Sequence, residues 1–179
     1  MARSRASATD RSELVHIACI DKTRLGIGLP IGKFTAALQK CYDRHFLPVW
    51  GYPVKLYVTE RAKPTDWQFL YFDTAKEATT LGFHDITKHG QPITKVFVQT
   101  SLKDGDPVSV TASHELFEMA MDPVANLWAQ AKNGMQYAYE VCDPVEEDHF
   151  ECDGLPMCNF VYPAWFEPFK HPRCTRFDH

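Results

Sequence analysis

Apolar positions recur at two different periods along the chain. Residues 33–47 place Phe34, Ala37, Leu38, Cys41 and Tyr42 at helical spacing, with Pro48 following as a stop. His45 and Asp43 read as surface positions on that helix. Residues 54–59 (VKLYVT) alternate and are rich in β-formers, residues 67–72 (WQFLYF) are compact and aromatic, and residues 93–100 (ITKVFVQT) give a third strand. A short apolar run at residues 14–20 (LVHIACI) predicts a strand or a buried segment. Residues 81–92 (LGFHDITKHGQP) read as a loop and residues 102–107 (LKDGDP) as a turn. Residues 108–121 predict a helix that ends at Asp122-Pro123, and residues 126–131 a short second helix closed by Asn133-Gly134. Residues 135–141 are a short apolar stretch. The remainder mixes Pro, Cys, acidic and aromatic residues around an Asp153-Gly154 hairpin turn. Helix, then strands, then a helix and an irregular C-terminal part is an α+β order, not alternating βαβ.

Composition narrows the function classes. The 179 residues are 45% hydrophobic and 23% charged, which rules out a wholly disordered chain and fits one domain over residues 13–179 behind a basic, Ser-rich arm at 1–12. A net charge of -4 argues against a nucleic-acid partner. No apolar run approaches the roughly 18–20 residues that span a bilayer. The N-terminus has no apolar core behind its basic residues and so does not read as a signal peptide. The expected location is therefore cytoplasmic or virion-associated. The glycine-rich stretch LGIGLPIG lacks both the Walker Lys-Ser/Thr ending and dinucleotide-binding spacing, so it receives no phosphate role. No G-x-S-x-G occurs, and no cysteine sits in a recognisable nucleophile context.

The chemistry concentrates at His114-Glu115-Leu116-Phe117-Glu118. On a helix, His114, Glu118 and Asp122 lie on one arc with Thr111 and Glu115, opposite Val110, Ala112, Leu116, Phe117, Ala120 and Met121. Residues at i and i+4 can reach one cation, and His nitrogen with Glu oxygen suits zinc. In an H-E-x-x-H zinc peptidase the Glu after the first His is the general base; Glu115 stands there. Glu118 replaces the second His. That adds negative charge and opens the site to the harder ions Ca2+ and Mn2+ as alternatives to Zn2+. Downstream, Glu140 or Asp143 returns to the helix as a third ligand. Glu140 sits in an apolar run, where a carboxylate needs a partner, whereas Glu146–Asp148 reads as a solvated loop. Asp122 reads as structural at the helix end, Trp128 as core, and Asn126 as a cap or supporting donor.

Ser113-His114-Glu115-Leu116-Phe117-Glu118, then Asp122-Pro123, Asn126, Trp128 and Glu140-Val141-Cys142-Asp143 form a gapped pattern, SHExxE…DPxxNxW…ExxD. It resembles a group of zincin-like, mostly uncharacterised bacterial and phage proteins. It is also similar to the central motif of plant phosphate-induced (Exordium-like) proteins. The resemblance covers about residues 93–145. It implies a minimal zincin-like domain, with a small mixed sheet, an active-site helix and an irregular Cys-rich C-terminal part. It also implies a metal at His114, Glu118 and Glu140 or Asp143.

Two functions follow as expectations. One is a zinc-dependent hydrolase of peptide or protein substrates, with Glu115 as base, Tyr139 a candidate oxyanion donor, and substrate extended along an edge strand at 93–100. The other is a non-catalytic binding or virion-associated structural protein in which the metal only staples the helix to the acidic segment. Of the cysteines, Cys152 and Cys158 flank the Asp153-Gly154 turn. They read first as free buried thiols, then as a cross-hairpin disulfide, then as a second metal site with Cys142, His149, Cys174 or His171.

Overall fold

The computed structural model describes residues 14–75, 80–166 and 177–179. The chain runs through β1 (Val15–Asp21), α1 (Ile31–Cys41), a wide π turn (Tyr42–Phe46), α2 (Leu47–Trp50), β2 (Val54–Val58), β3 (Trp67–Phe72), β4 (Gly82–Ile86) and β5 (Pro92–Phe97). It continues through α3 (Val98–Asp104), α4 (Val108–Met121), β6 (Trp128–Gln130), β7 (Gln136–Ala138), a 3-10 turn (Asp143–Val145), β8 (His149–Cys152), β9 (Leu155–Cys158) and α5 (Pro163–Phe166). The fold is α+β. Its main sheet has five strands in the order β2-β1-β3-β5-β4. The first four are parallel, and β4 is antiparallel to β5 at the end of the sheet.

The unbroken apolar run Ile17–Ile20 is buried because β1 is covered on both faces, as parallel strands generally are. One face carries the main core: Ile17, Cys19, Phe69 and Tyr71 from the sheet meet Phe34 and Leu38 of α1 and Leu116 and Phe117 of α4. The opposite face holds only a small cluster, Ala18, Ile20 and Leu70, flanked by Tyr57, Phe72 and Ile93. Phe46 stacks on Phe117 with ring centroids 4.5 Å apart, and Phe160 meets both edge-on at 5.0 and 5.3 Å. These rings tie α4 to the π turn and to the C-terminal segment. At the far edge, the Gln39 side-chain amide donates to Val54 O at 3.1 Å and accepts Leu56 N–H at 2.7 Å, pairing with β2 as a neighbouring strand would. Among the described residues no helix is long and apolar enough to cross a membrane.

Several sequence expectations are corrected. Pro48 does not stop the first helix: helical backbone runs unbroken from Ile31 to Trp50, and the wide π turn at Tyr42–Phe46 immediately before Pro48 accommodates its ring and missing N–H. The helical path ends instead at Gly51, whose φ of 80° is left-handed. The loop expected at 81–92 contains β4. The strand expected at 93–100 ends at Phe97 and runs into α3. It lies between β3 and β4, so it is not an edge. α3 also takes up the start of the expected turn at 102–107. The helix expected at 126–131 is β6, paired with β7, and Trp128 is 63% exposed rather than core. In the β8–β9 hairpin, Cys152 faces Leu155 and Cys158 faces His149, so no disulfide joins them; both thiols are free and buried. The arm at 1–12, His171 and Cys174 lie outside the described residues.

Candidate metal centre

Every residue of α4 except His114 is buried. The polar arc therefore does not face open solvent; it is roofed on two sides. β9 covers one flank, where Ser109 Oγ donates to Pro156 O at 2.6 Å and Ser113 Oγ accepts Cys158 N–H at 2.8 Å. β4 covers the other, and at Gly82 it comes so close that a Cβ would lie 2.8 Å from Glu115 Oε1. Glycine there is a requirement of the close approach, not of a turn. Between these flanks lies a cleft of about 590 Å³ whose lining includes Gly82, His84, His114, Glu115, Glu118 and Asp143.

Three donors converge at His114. Its Nε2 is 3.1 Å from Glu118 Oε2 and 3.3 Å from Asp143 Oδ1. Glu118 is oriented through its other oxygen, Oε1, which accepts the Cys142 N–H at 3.1 Å. This bond is how the segment after β7 delivers Asp143 to the helix. Of the two downstream carboxylates, Asp143 lies against His114, whereas Glu140 lies against His84, with Oε2 3.7 Å from Nε2. His84 Nδ1 is 3.8 Å from both Glu115 Oε2 and Glu118 Oε2. On the other side of the His114 ring, Nδ1 is 3.6 Å from Cys158 Sγ. Three donor groups capable of holding a metal ion result: His114, Glu118 and Asp143; His84, Glu115 and Glu118; and His114, Cys142 and Cys158.

The electrostatics match groups held together without full solvation. Burial alone would lower His114, but Asp143, Cys158 and Glu118 outweigh it and raise its pKa well above the ordinary value. His84 is raised in the same way, with Glu115, Glu140 and Glu118 overcoming its burial. Burial lifts Glu115, and burial with the nearby Glu118 charge lifts Glu140 to about 7. Asp143 is lowered by its hydrogen bond to His114. His84 Nε2, Glu115 Oε2 and Glu140 Oε2 are buried with no hydrogen-bond partner. Such atoms carry a desolvation cost that a cation would relieve.

Asp122 caps the arrangement: its Oδ2 accepts Leu127 N–H at 2.7 Å just beyond α4. Asn126 is exposed. Tyr139 stacks on Phe166 with centroids 4.1 Å apart. Two contributors escaped the sequence reading. His84 lies in what reads as a loop, and Cys158 reads as a candidate for a second metal site with Cys142 but not for one that includes His114. The one signal for His84 was its place two residues after a glycine in a segment of partial alternation. No family model, no curated protein and no solved structure matches this chain.

Proposed function

We propose that this chain is a zinc-dependent hydrolase of zincin type acting on peptide bonds, with His114, Glu118 and Asp143 as ligands and Glu115 as general base. The observation that carries the reading is the spacing around His114 Nε2, 3.1 and 3.3 Å. Ligand atoms about 2.0–2.1 Å from a tetrahedral zinc stand about 3.3 Å apart. The set built on His84 has nitrogen–oxygen separations of 3.8 Å, wider than that edge, and would consume Glu115 as a ligand. The unpartnered buried oxygens support the presence of a cation in life.

A zinc ion held there supplies a Lewis acid that acidifies water and polarises a carbonyl. Glu115 Oε2, without a hydrogen-bond partner, is free to take a proton. Burial raises its pKa toward neutrality, which favours general-base transfer. His84 balances the charge of Glu115 and Glu140 without ligating. β4, not β5, is the edge beside the cleft, so an extended peptide adds along β4. Asp104, Asp106, Glu146 and Glu147 line the same cleft, and their field favours substrates with Lys or Arg near the cleaved bond.

The competing reading is a metal staple without turnover, favoured by the Glu118–Cys142 bond that already joins α4 to the following segment. Elemental analysis of purified wild type and His114→Ala, followed by a peptide-library screen of wild type and Glu115→Gln, separates the two. Stoichiometric zinc lost in His114→Ala, with cleavage abolished in Glu115→Gln but zinc retained, supports the hydrolase. Zinc with no cleavage in the wild type supports the staple. No metal after zinc addition refutes both.

A further inference from the structure

We propose a second metal position on the opposite side of the His114 ring, formed by His114 Nδ1, Cys142 Sγ and Cys158 Sγ, that takes a thiophilic ion such as Cd2+ or Cu+ and excludes the ion at Nε2. The three donor atoms lie within 4.8 Å of one another. The Nδ1–Sγ(Cys158) separation is 3.6 Å. A metal about 2.0–2.1 Å from nitrogen and about 2.3 Å from sulfur, at a tetrahedral angle, sets them about 3.6 Å apart. The cluster is thus spaced for a shared ion without rearrangement of its nitrogen–sulfur edge.

The chemistry of the donors sets the class of ion. Two sulfurs and one imidazole nitrogen in an apolar surround select soft metals over the oxygen-seeking Ca2+ and Mg2+. Cys142 and Cys158 are both fully buried, flanked by Met157, Val141 and Phe160 of the main core. Each is held in place by its backbone: Cys158 N–H by Ser113 Oγ, and Cys142 N–H by Glu118 Oε1. The same short segment, Cys142-Asp143, therefore offers a thiol to one side of His114 and a carboxylate to the other.

The exclusion follows from the ring. A neutral imidazole has one lone pair, so binding at Nδ1 leaves Nε2 as an N–H donor unable to ligate. A thiophilic ion at the sulfur side thereby disables the oxygen side. Conversely, zinc at Nε2 leaves Nδ1–H to donate to Cys158 Sγ, the arrangement by which a ligating histidine is normally held. The inference shares His114 with the hydrolase reading but stands on separate donors, and either can fail alone.

The test uses metal-free full-length protein in a non-thiol reductant, titrated with Cd2+ and followed by ultraviolet thiolate-to-metal absorption and 113Cd NMR. The expected result is one Cd2+ per chain with a sulfur-rich shift, a band lost in Cys158→Ser, and a band retained in Glu118→Gln. Cys152→Ser controls for the other buried thiols and should leave the band unchanged. Protein preloaded with zinc should exchange, holding one ion in total rather than two. Cd2+ bound with an oxygen-and-nitrogen shift in the wild type, or a band that survives in folded Cys158→Ser, overturns the site. Simultaneous zinc and cadmium overturns the exclusion. Zinc binding undiminished in Glu118→Gln, together with a thiolate band retained there, would show the oxygen side to be the part in error.

Discussion

Gly82→Ala tests the contact on which the geometry of Glu115, the proposed general base, depends. The added Cβ would lie 2.8 Å from Glu115 Oε1, 2.9 Å from Cγ and 3.1 Å from Cδ. Ordinary carbon contacts begin near about 3.5 Å, so the overlap is about 0.5 Å and falls on three atoms. Swinging the carboxylate end does not relieve it, because Cγ is struck as well. Either Glu115 changes rotamer or β4 moves off α4. The backbone at Gly82 lies outside the left-handed region, so alanine is tolerated there and the overlap is the whole cost. Overpacking of this kind costs about 1–3 kcal/mol, a Tm loss of about 2–12 °C for a chain of this size. In a Glu115→Ala background the struck atoms are gone, and the same substitution should cost under about 0.5 kcal/mol. Calorimetry of metal-free wild type, both single variants and the double variant gives the coupling directly. Equal costs of Gly82→Ala in the two backgrounds would refute the close approach. On the proposed hydrolase reading, a displacement of Glu115 by about 1 Å lowers peptide hydrolysis by about 10²-fold at unchanged zinc content.

Other outcomes follow from the same geometry. Phe117→Ala removes a fully buried ring stacked on Phe46 and packed by Phe160 and Tyr42, and should destabilise by about 3–5 kcal/mol in urea unfolding; a loss under about 1 kcal/mol would contradict that packing. Zinc uptake should release protons, since His114 is held above its ordinary pKa by Asp143, Cys158 and Glu118; titration calorimetry at pH 7 in two buffers of different ionisation enthalpy would show no buffer dependence if this is wrong. His45 is lowered from 6.5 by burial and by Arg44, so the unfolded chain binds more protons there between the two values. Its contribution is intact above 6.5 and is lost as pH falls toward the folded value. His45→Asn should flatten the wild-type slope of stability against pH in that window, and an unchanged slope would contradict the shift.

Much of the helix architecture was legible. α4 is bounded by Pro107 and Asp122-Pro123, and its i, i+4 spacing placed His114 and Glu118 together before any tertiary information. Asp143 and Glu140 were both legible as carboxylates able to return to the helix; that Asp143 lies beside His114 depends on the Cys142 N–H bond to Glu118, which only the fold supplies. β4 was hidden because it begins at glycine and its burial fades from Gly82 to the exposed Asp85 and Ile86, leaving no alternating pattern; pairing with β5 and packing on α4 make it a strand. His84 was hidden with it. The 126–131 segment looked helical because its apolar residues are frequent, yet they are exposed and pair as a two-stranded ribbon. Pro48 misled because a proline does not end a helical path where a wide π turn immediately precedes it.

The Gln39 amide bears on self-association. A bare sheet edge is a template on which another chain of the same kind can grow. By occupying Val54 O and Leu56 N–H, Gln39 closes the β2 margin at the register where a second copy would dock. Among the described residues β4 is the other margin of the sheet, and it borders the cleft. Among the described residues the uncapped margin is thus β4, the same border that lies against Glu115 at Gly82.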